Sequence, residues 1–164
     1  RLDGFVAHVA SFREIEVIDI RPLEKSSHQN IKFLQADMMN PLRIEKTDSL
    51  SCLHAIEHFG LGRYNDPIDI DGHMKGINNL VSLLEKNGTL YISFPIGKND
   101  EILYNAQRVF NPRTIFKNNS IRSHMELVKF DFVDAMGDLH LNTCIDNIME
   151  KLTYGCGIYT FKKN

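Results

Sequence analysis

No apolar run in this chain approaches the roughly 20 residues a membrane-crossing helix needs, and that absence excludes such a helix. A soluble, cytoplasmic domain with no membrane partner is the expectation. Basic clusters are just as scarce: beyond Lys162-Lys163 none stands out, and the formal net charge is -2. A footprint for a phosphate backbone is therefore missing, and nucleic acid is not the expected partner. Cysteine is sparse as well, with three residues at wide spacing. An odd, scattered set fits neither a disulfide framework nor a Cys-x-x-Cys metal site, and it points to a reducing compartment. Cys52 and Cys156 lie in apolar, strand-like runs and read as small buried hydrophobes with no chemistry. A starting methionine and a signal-peptide pattern are both absent ahead of Arg1, so the chain reads as a fragment.

What is present suits one folded domain. A chain of 164 residues, 43% hydrophobic and 24% charged, has the composition of a globular protein. At that length folding buries roughly 70% of the unfolded surface.

Four short apolar runs predict strands: Ile15 to Ile20, Lys32 to Gln35, Leu50 to His54 and Thr89 to Phe94, each closed by polar, Gly or Pro residues. Between the last two, Met74, Ile77, Leu80, Val81 and Leu84 repeat at helical spacing, with Asp71 as N-cap and Asn87-Gly88 as a left-handed stop. A weaker helix is expected over residues 3 to 12. Beyond Pro95 the pattern predicts a helix near Arg113 to Lys117, a strand from Glu126 to Phe132, a helix around Leu141 to Leu152 and a strand from Cys156 to Phe161. Strands alternating with helices imply an α/β fold, a mostly parallel sheet with helices on both faces.

Such sheets bind ligands beyond the carboxyl ends of their strands. Asp19 ends the first strand, where a carboxylate can accept hydrogen bonds from both hydroxyls of a ribose. Asp37 follows the second strand and suits an adenine amino group. His54 ends the third. For each Asp the competing reading is a turn or capping role.

In this order the residues resemble the class I S-adenosylmethionine-dependent methyltransferases. Val17-Ile-Asp19-Ile-Arg is similar to that superfamily's second-strand acidic motif, and Phe33-Leu-Gln-Ala-Asp37-Met38 to its adenine-binding motif. Ser51-Cys-Leu-His54-Ala-Ile-Glu57-His58 resembles its fourth-strand motif, and Leu84 to Pro95 its fifth-strand segment. A narrower resemblance, to a methyltransferase-like group without an assigned substrate, rests on Gly60-Leu-Gly-Arg-Tyr64, Asp66-Pro-Ile-Asp69, Asp71-Gly72 and Tyr154 to Tyr159. The resemblance implies a Rossmann-like sheet binding S-adenosylmethionine through Gly4, Asp19, Asp37, Met38 and His54. Only Arg1-Leu-Asp3-Gly4-Phe stands where the superfamily has its glycine-rich loop, so the first strand is expected to be missing from residues 1–164. That strand would lie between those ending at Asp19 and at His54. Without it, those two strands either pair directly or leave backbone groups unpaired.

The resemblance also implies methyl transfer to a small-molecule or glycan acceptor. His58 is then the candidate base, with Arg63 and Tyr64 holding an anionic or sugar-like group. Glu57 caps or orients the turn. The rival from another class is a non-catalytic binding module on the same sheet; a nicotinamide-dependent oxidoreductase would use the same Asp19.

Two metal motifs fail on context. His54, Glu57 and His58 spell H-x-x-E-H, but zinc ligation needs both histidines on one helical face, and here a strand precedes and Gly60 follows. A calcium loop through Asp69, Asp71 and Gly72 would put Pro67 and Asn78 at its first and twelfth positions, where neither is a key ligand.

Overall fold

The computed structural model describes residues 3–24, 26–64 and 66–164. Arg1 and Leu2 of the first-loop motif, and Asn65 of the loop after the third strand, lie outside the described residues. Helix α1 (Gly4–Ala10) is capped by the Asp3 side chain, which accepts from the Val6 N–H, and buries Val6 and Ala10. Strands β1 (Ile15–Asp19) and β2 (Ile31–Gln35) pair in parallel. Strand β3 (Thr47–Leu53) runs parallel to β4 (Leu84–Gly97), and a 3-10 turn (Ile56–His58) and α2 (Gly72–Leu83) connect them.

A short hairpin, β5 (Glu101–Ile102) with β6 (Arg108–Val109), follows β4. Then come a 3-10 helix (Thr114–Lys117), α3 (Asn119–His124), β7 (Met125–Val133), β8 (Leu139–His140), α4 (Ile145–Ile148) and β9 (Tyr154–Lys163).

The fold is α/β and Rossmann-like. Among the described residues, the sheet expected to be mostly parallel has strands paired in parallel only at β1–β2 and β3–β4; β9 returns antiparallel between β4 and β7, and β8 folds back on β7. β1 and β3 are not hydrogen-bonded neighbours, so the strands form a pair, β1–β2, and a five-stranded sheet in the order β3-β4-β9-β7-β8. An exposed Arg13–Asp48 ion pair, 3.0 Å long, reaches from the entry of β1 to β3.

The core lies under β4 and β9. Leu90, Ile92, Phe94 and Ile96 on β4 are buried together with Tyr159 and Phe161 on β9, and α2 adds Ile77, Leu80 and Val81. Phe94 stacks on Tyr159 at 5.0 Å, and the Tyr159 hydroxyl donates to the Pro112 carbonyl, which satisfies its one buried polar group.

Several local expectations are corrected. α2 stops at Leu83, and the left-handed Asn87 (φ 63°) lies in the register shift between Thr47↔Leu84 and Ser49↔Thr89. Asp71 occupies the N-cap position without a side-chain capping bond, because its own N–H is tied to Asp69 Oδ1 in the preceding turn. The helix expected over Leu141 to Leu152 shrinks to the four residues of α4, because the chain before it is held to β7. There Asp131 Oδ1 accepts from the Asn142 N–H and the Phe130 carbonyl from the Thr143 N–H.

Candidate functional site at the strand ends

His54 leaves β3 in the left-handed region (φ 48°), and the 3-10 turn that follows carries Glu57 into the core and His58 to its edge. Left-handed backbone is uncommon outside glycine, but His is among the residues that tolerate it. His54 and His58 therefore do not share a helical face, which removes the geometry of the zinc reading.

The next loop closes on itself. Asp66 Oδ2 accepts from the N–H groups of Gly60 (2.9 Å) and Gly62 (3.3 Å), and Oδ1 from that of Tyr64 (2.9 Å). Three amides on one carboxylate make a compact turn. The hairpin β5–β6 then clamps it from the side. The Ala106 carbonyl accepts from Arg63 Nη1 (2.6 Å) and lies 3.2 Å from His58 Nδ1. Arg108, 4% exposed, donates through Nη1 to the Phe59 carbonyl (2.6 Å) and through Nη2 to the Ile70 carbonyl (3.2 Å).

A carbonyl only accepts, so His58 carries its proton on Nδ1, leaving Nε2 as a lone pair. Nε2 lies 3.8 Å from Glu57 Oε1, beyond a hydrogen bond. Burial pushes the His58 pKa down; Glu57 pulls the other way, and Arg63 again lowers it. A neutral imidazole with a free Nε2 is the protonation state a base requires.

The exit of β1 reaches this loop through Arg21. Asp19 accepts from the Arg21 N–H, Nε and Nη2 at 2.8 to 3.0 Å. Partial burial raises the Asp19 carboxyl, but the Arg21 hydrogen bonds and charge outweigh it and bring it to about 2. The Arg21 guanidinium also lies 4.6 Å from the centre of the Tyr64 ring, whose edge-to-face partner is His58 at 5.4 Å. Arg63 sits 5.8 Å from the same ring. Asp19, Arg21, Tyr64, Arg63 and His58 thus belong to one continuous set of contacts, which Glu57, 3.3 Å from His54 Nδ1 and 3.8 Å from His58 Nε2, extends to His54.

Asp37 and Met38 are held elsewhere. Asp37 accepts from the Met39 N–H and from Asn40 Nδ2, which is the turn role weighed against it, and the Met38 carbonyl accepts from Asn79 of α2. Gly4 opens α1 with nothing within 4 Å of where a Cβ would sit. Sequence reading missed Arg108, because arginine is rarely buried and no periodicity marks it. It also missed the Cys156 thiol: Cys156 is half-buried and its Sγ lies 3.1 Å from His54 Nε2.

A second imidazole lies beneath the loop. Burial first, and the Arg108 charge second, bring the His73 pKa down to about 4, and Nδ1 has no partner among the described residues. The unfolded chain protonates this histidine near about 6.5. Between those values the unfolded state binds more protons, so stability is lost as pH falls from about 6.5 through about 4. Urea midpoints measured across that window are expected to drop more steeply for the unmutated protein than for His73→Gln. Parallel curves would assign the acid sensitivity to other groups.

Comparison with known proteins places these observations in a family. Residues 24–144 match the family model described as Caenorhabditis protein of unknown function, DUF268. No curated protein matches the chain. Among solved structures, the N-methyltransferase NodS from Bradyrhizobium japonicum WM9, in complex with S-adenosyl-L-homocysteine, is 15% identical with a TM-score of 0.58 over 92% of this chain. The chain spans 66% of that protein. The cyclase SpnF is 12% identical with a TM-score of 0.65 over 98% of this chain and 71% of its own. An S-adenosylmethionine-dependent methyltransferase from Clostridium acetobutylicum ATCC 824 is 14% identical with a TM-score of 0.59, over 97% of this chain and 79% of its own. At these identities the likeness is one of fold.

Proposed function

This chain belongs to the DUF268 family, and we propose that it is an S-adenosylmethionine-dependent methyltransferase whose acceptor is a small molecule or glycan. The observation that carries the reading is the link from Asp19 through Arg21 and Tyr64 to His58, which joins a strand-end carboxylate to a neutral imidazole. Neighbours of the same fold include NodS, which was crystallised with S-adenosyl-L-homocysteine.

The residues present fit the cofactor's needs. Asp19 and Asp37 place carboxylates past the ends of two adjacent parallel strands, where ribose and adenine donors are met in such sheets. Asp19, held by Arg21 at the end of β1, is the proposed ribose contact. Met38 and Gly4 complete the proposed cofactor side, with His54 at the exit of β3. When bound, S-adenosylmethionine supplies the methyl electrophile. His58 Nε2 takes the acceptor's proton, while Arg63 and Tyr64 offer a cation and an aromatic face to an anionic or sugar-like acceptor.

Calorimetry with S-adenosylmethionine and, separately, NAD tests this. Stoichiometric binding of S-adenosylmethionine alone is expected, weakened about tenfold or more by Asp19→Asn through loss of a charged acceptor. Once an acceptor is found, His58→Ala is expected to cut turnover about 100-fold while leaving cofactor affinity intact. Unchanged turnover removes His58 as the base. Binding of NAD alone overturns the reading in favour of an oxidoreductase. Binding of neither favours a non-catalytic module on the same sheet.

A further inference from the structure

Three side chains far apart in sequence meet at the exit of β3. His54 Nε2 lies 3.1 Å from Cys156 Sγ at the start of β9, and His54 Nδ1 lies 3.3 Å from Glu57 Oε1. Glu57 is 1% exposed, and its Oε2 has no hydrogen-bond partner among the described residues. A carboxyl this deeply buried is costly unless a specific contact retains it. Its near contact is the imidazole that in turn faces the thiol.

The order thiol, imidazole, carboxyl is the arrangement that activates a nucleophile: Nδ1–H donates to the carboxyl, and Nε2 receives the thiol proton. We propose that Cys156 is a nucleophilic thiol, with His54 as its base and Glu57 as a positioning residue, forming a modification site for small soft electrophiles. The contact with Cys156, and after it that with Glu57, raises the His54 pKa to about 10. His54 is half-exposed at the surface of this corner, which gives a small reagent an approach.

With iodoacetamide as the probe, the sulfur lone pair forms an S–C bond and the C–I bond breaks. Iodide leaves with the bonding pair, and the former thiol proton remains on His54 Nε2. No cofactor or acceptor takes part. His54 is shared with the proposed cofactor side, but alkylation is read without cofactor or turnover, so failure of either reading is seen separately.

The other two cysteines serve as internal references. Cys52 is buried, and that burial pushes its thiol up to about 12. Cys144 is exposed. Alkylation of all three is followed in one sample by peptide mass spectrometry between about pH 6 and pH 8, below the ordinary thiol range near about 8.5. The Cys144 rate is expected to climb about 50-fold or more over that interval, and the Cys156 rate by about threefold or less, because a thiol that passes its proton to a neighbouring imidazole gains little from added base. Cys52 stays unmodified until the protein unfolds.

His54→Asn suits the left-handed position and removes the base, so Cys156 is expected to adopt the steep profile of Cys144. Glu57→Gln keeps the buried shape and gives an intermediate slope. Reading slopes rather than absolute rates separates ionisation from access. A Cys156 profile as steep as that of Cys144 in the unmutated protein overturns the assignment. So does a flat profile that neither variant changes.

Discussion

Gly60→Ala is expected to lower the unfolding free energy by about 3 to 5 kcal/mol, the range reserved for strain that the structure cannot relieve locally. Gly60 has φ 74°, and a Cβ there would stand 2.0 Å from the Asp69 carbonyl oxygen and 3.2 Å from the Gly72 Cα. The left-handed backbone alone costs alanine about 1 kcal/mol. The rest comes from the clash, because the obstructing atoms are backbone and have no rotamer to adopt. Opening the crossing also loosens the Asp69 N–H bond to the Gly60 carbonyl (2.9 Å) and the Asp66 contact with the Gly60 N–H (2.9 Å).

Two neighbouring substitutions bracket the prediction. Gly62→Ala meets the flexible Ile68 side chain at 3.1 Å and the Asp66 carbonyl oxygen at an ordinary 3.7 Å, and should cost about 1 kcal/mol, the backbone contribution alone. Gly4→Ala has open space in a helix and should be neutral or stabilising by up to about 1 kcal/mol. Urea denaturation of the three variants orders them directly. A Gly60→Ala cost no larger than that of Gly62→Ala would show that the loop is not pinned against the Asp69–Gly72 backbone.

The contrast among these glycines shows what a single sequence can convey. Strands β1 to β4 and helix α2 were legible because period and punctuation agree over each of them: apolar runs end in polar, Gly or Pro residues, and the helical stripe of Ile77, Leu80 and Val81 is the buried one. From those elements the strand ends follow, and with them Asp19, His54 and the loop through Tyr64. The hairpin β5–β6 was not legible, since two-residue strands carry no period and its tip turns on a left-handed Asn105. Without that hairpin, nothing marks Ala106 as the carbonyl that fixes the His58 tautomer, or Arg108 as a buried clamp. Cys156 was misread for a related reason. Its apolar strand context predicts a packed hydrophobe, while its contact with His54 spans 102 residues of sequence that only the return of β9 beside β4 brings together.

Arg108→Met is expected to cost about 2 to 4 kcal/mol and to free the whole loop rather than one residue. The guanidinium leaves β6 and donates to carbonyls at two separated points of the loop, Phe59 at 2.6 Å and Ile70 at 3.2 Å. Methionine retains most of the buried volume but donates nothing, so both carbonyls lose a charge-assisted bond, at about 1 to 3 kcal/mol for each that stays buried and unpaired. Relief of the arginine's own desolvation offsets part of that sum. That penalty is evident in its pKa, which burial lowers while Asp66, Asp69 and Asp71 raise it. Lysine is a poor substitute, because one ammonium cannot hold the fork-like geometry that reaches both carbonyls, and Arg108→Lys should fall between methionine and the original. Hydrogen exchange is the deciding measurement: faster exchange is expected at Gly60, Tyr64 and Asp69, whose N–H groups make the bonds that close the loop, with α2 beyond its first turn unchanged. Uniform acceleration across the core would mean that Arg108 supports the fold globally. Faster exchange confined to the loop would identify the buried arginine as the link by which the hairpin holds that loop in place.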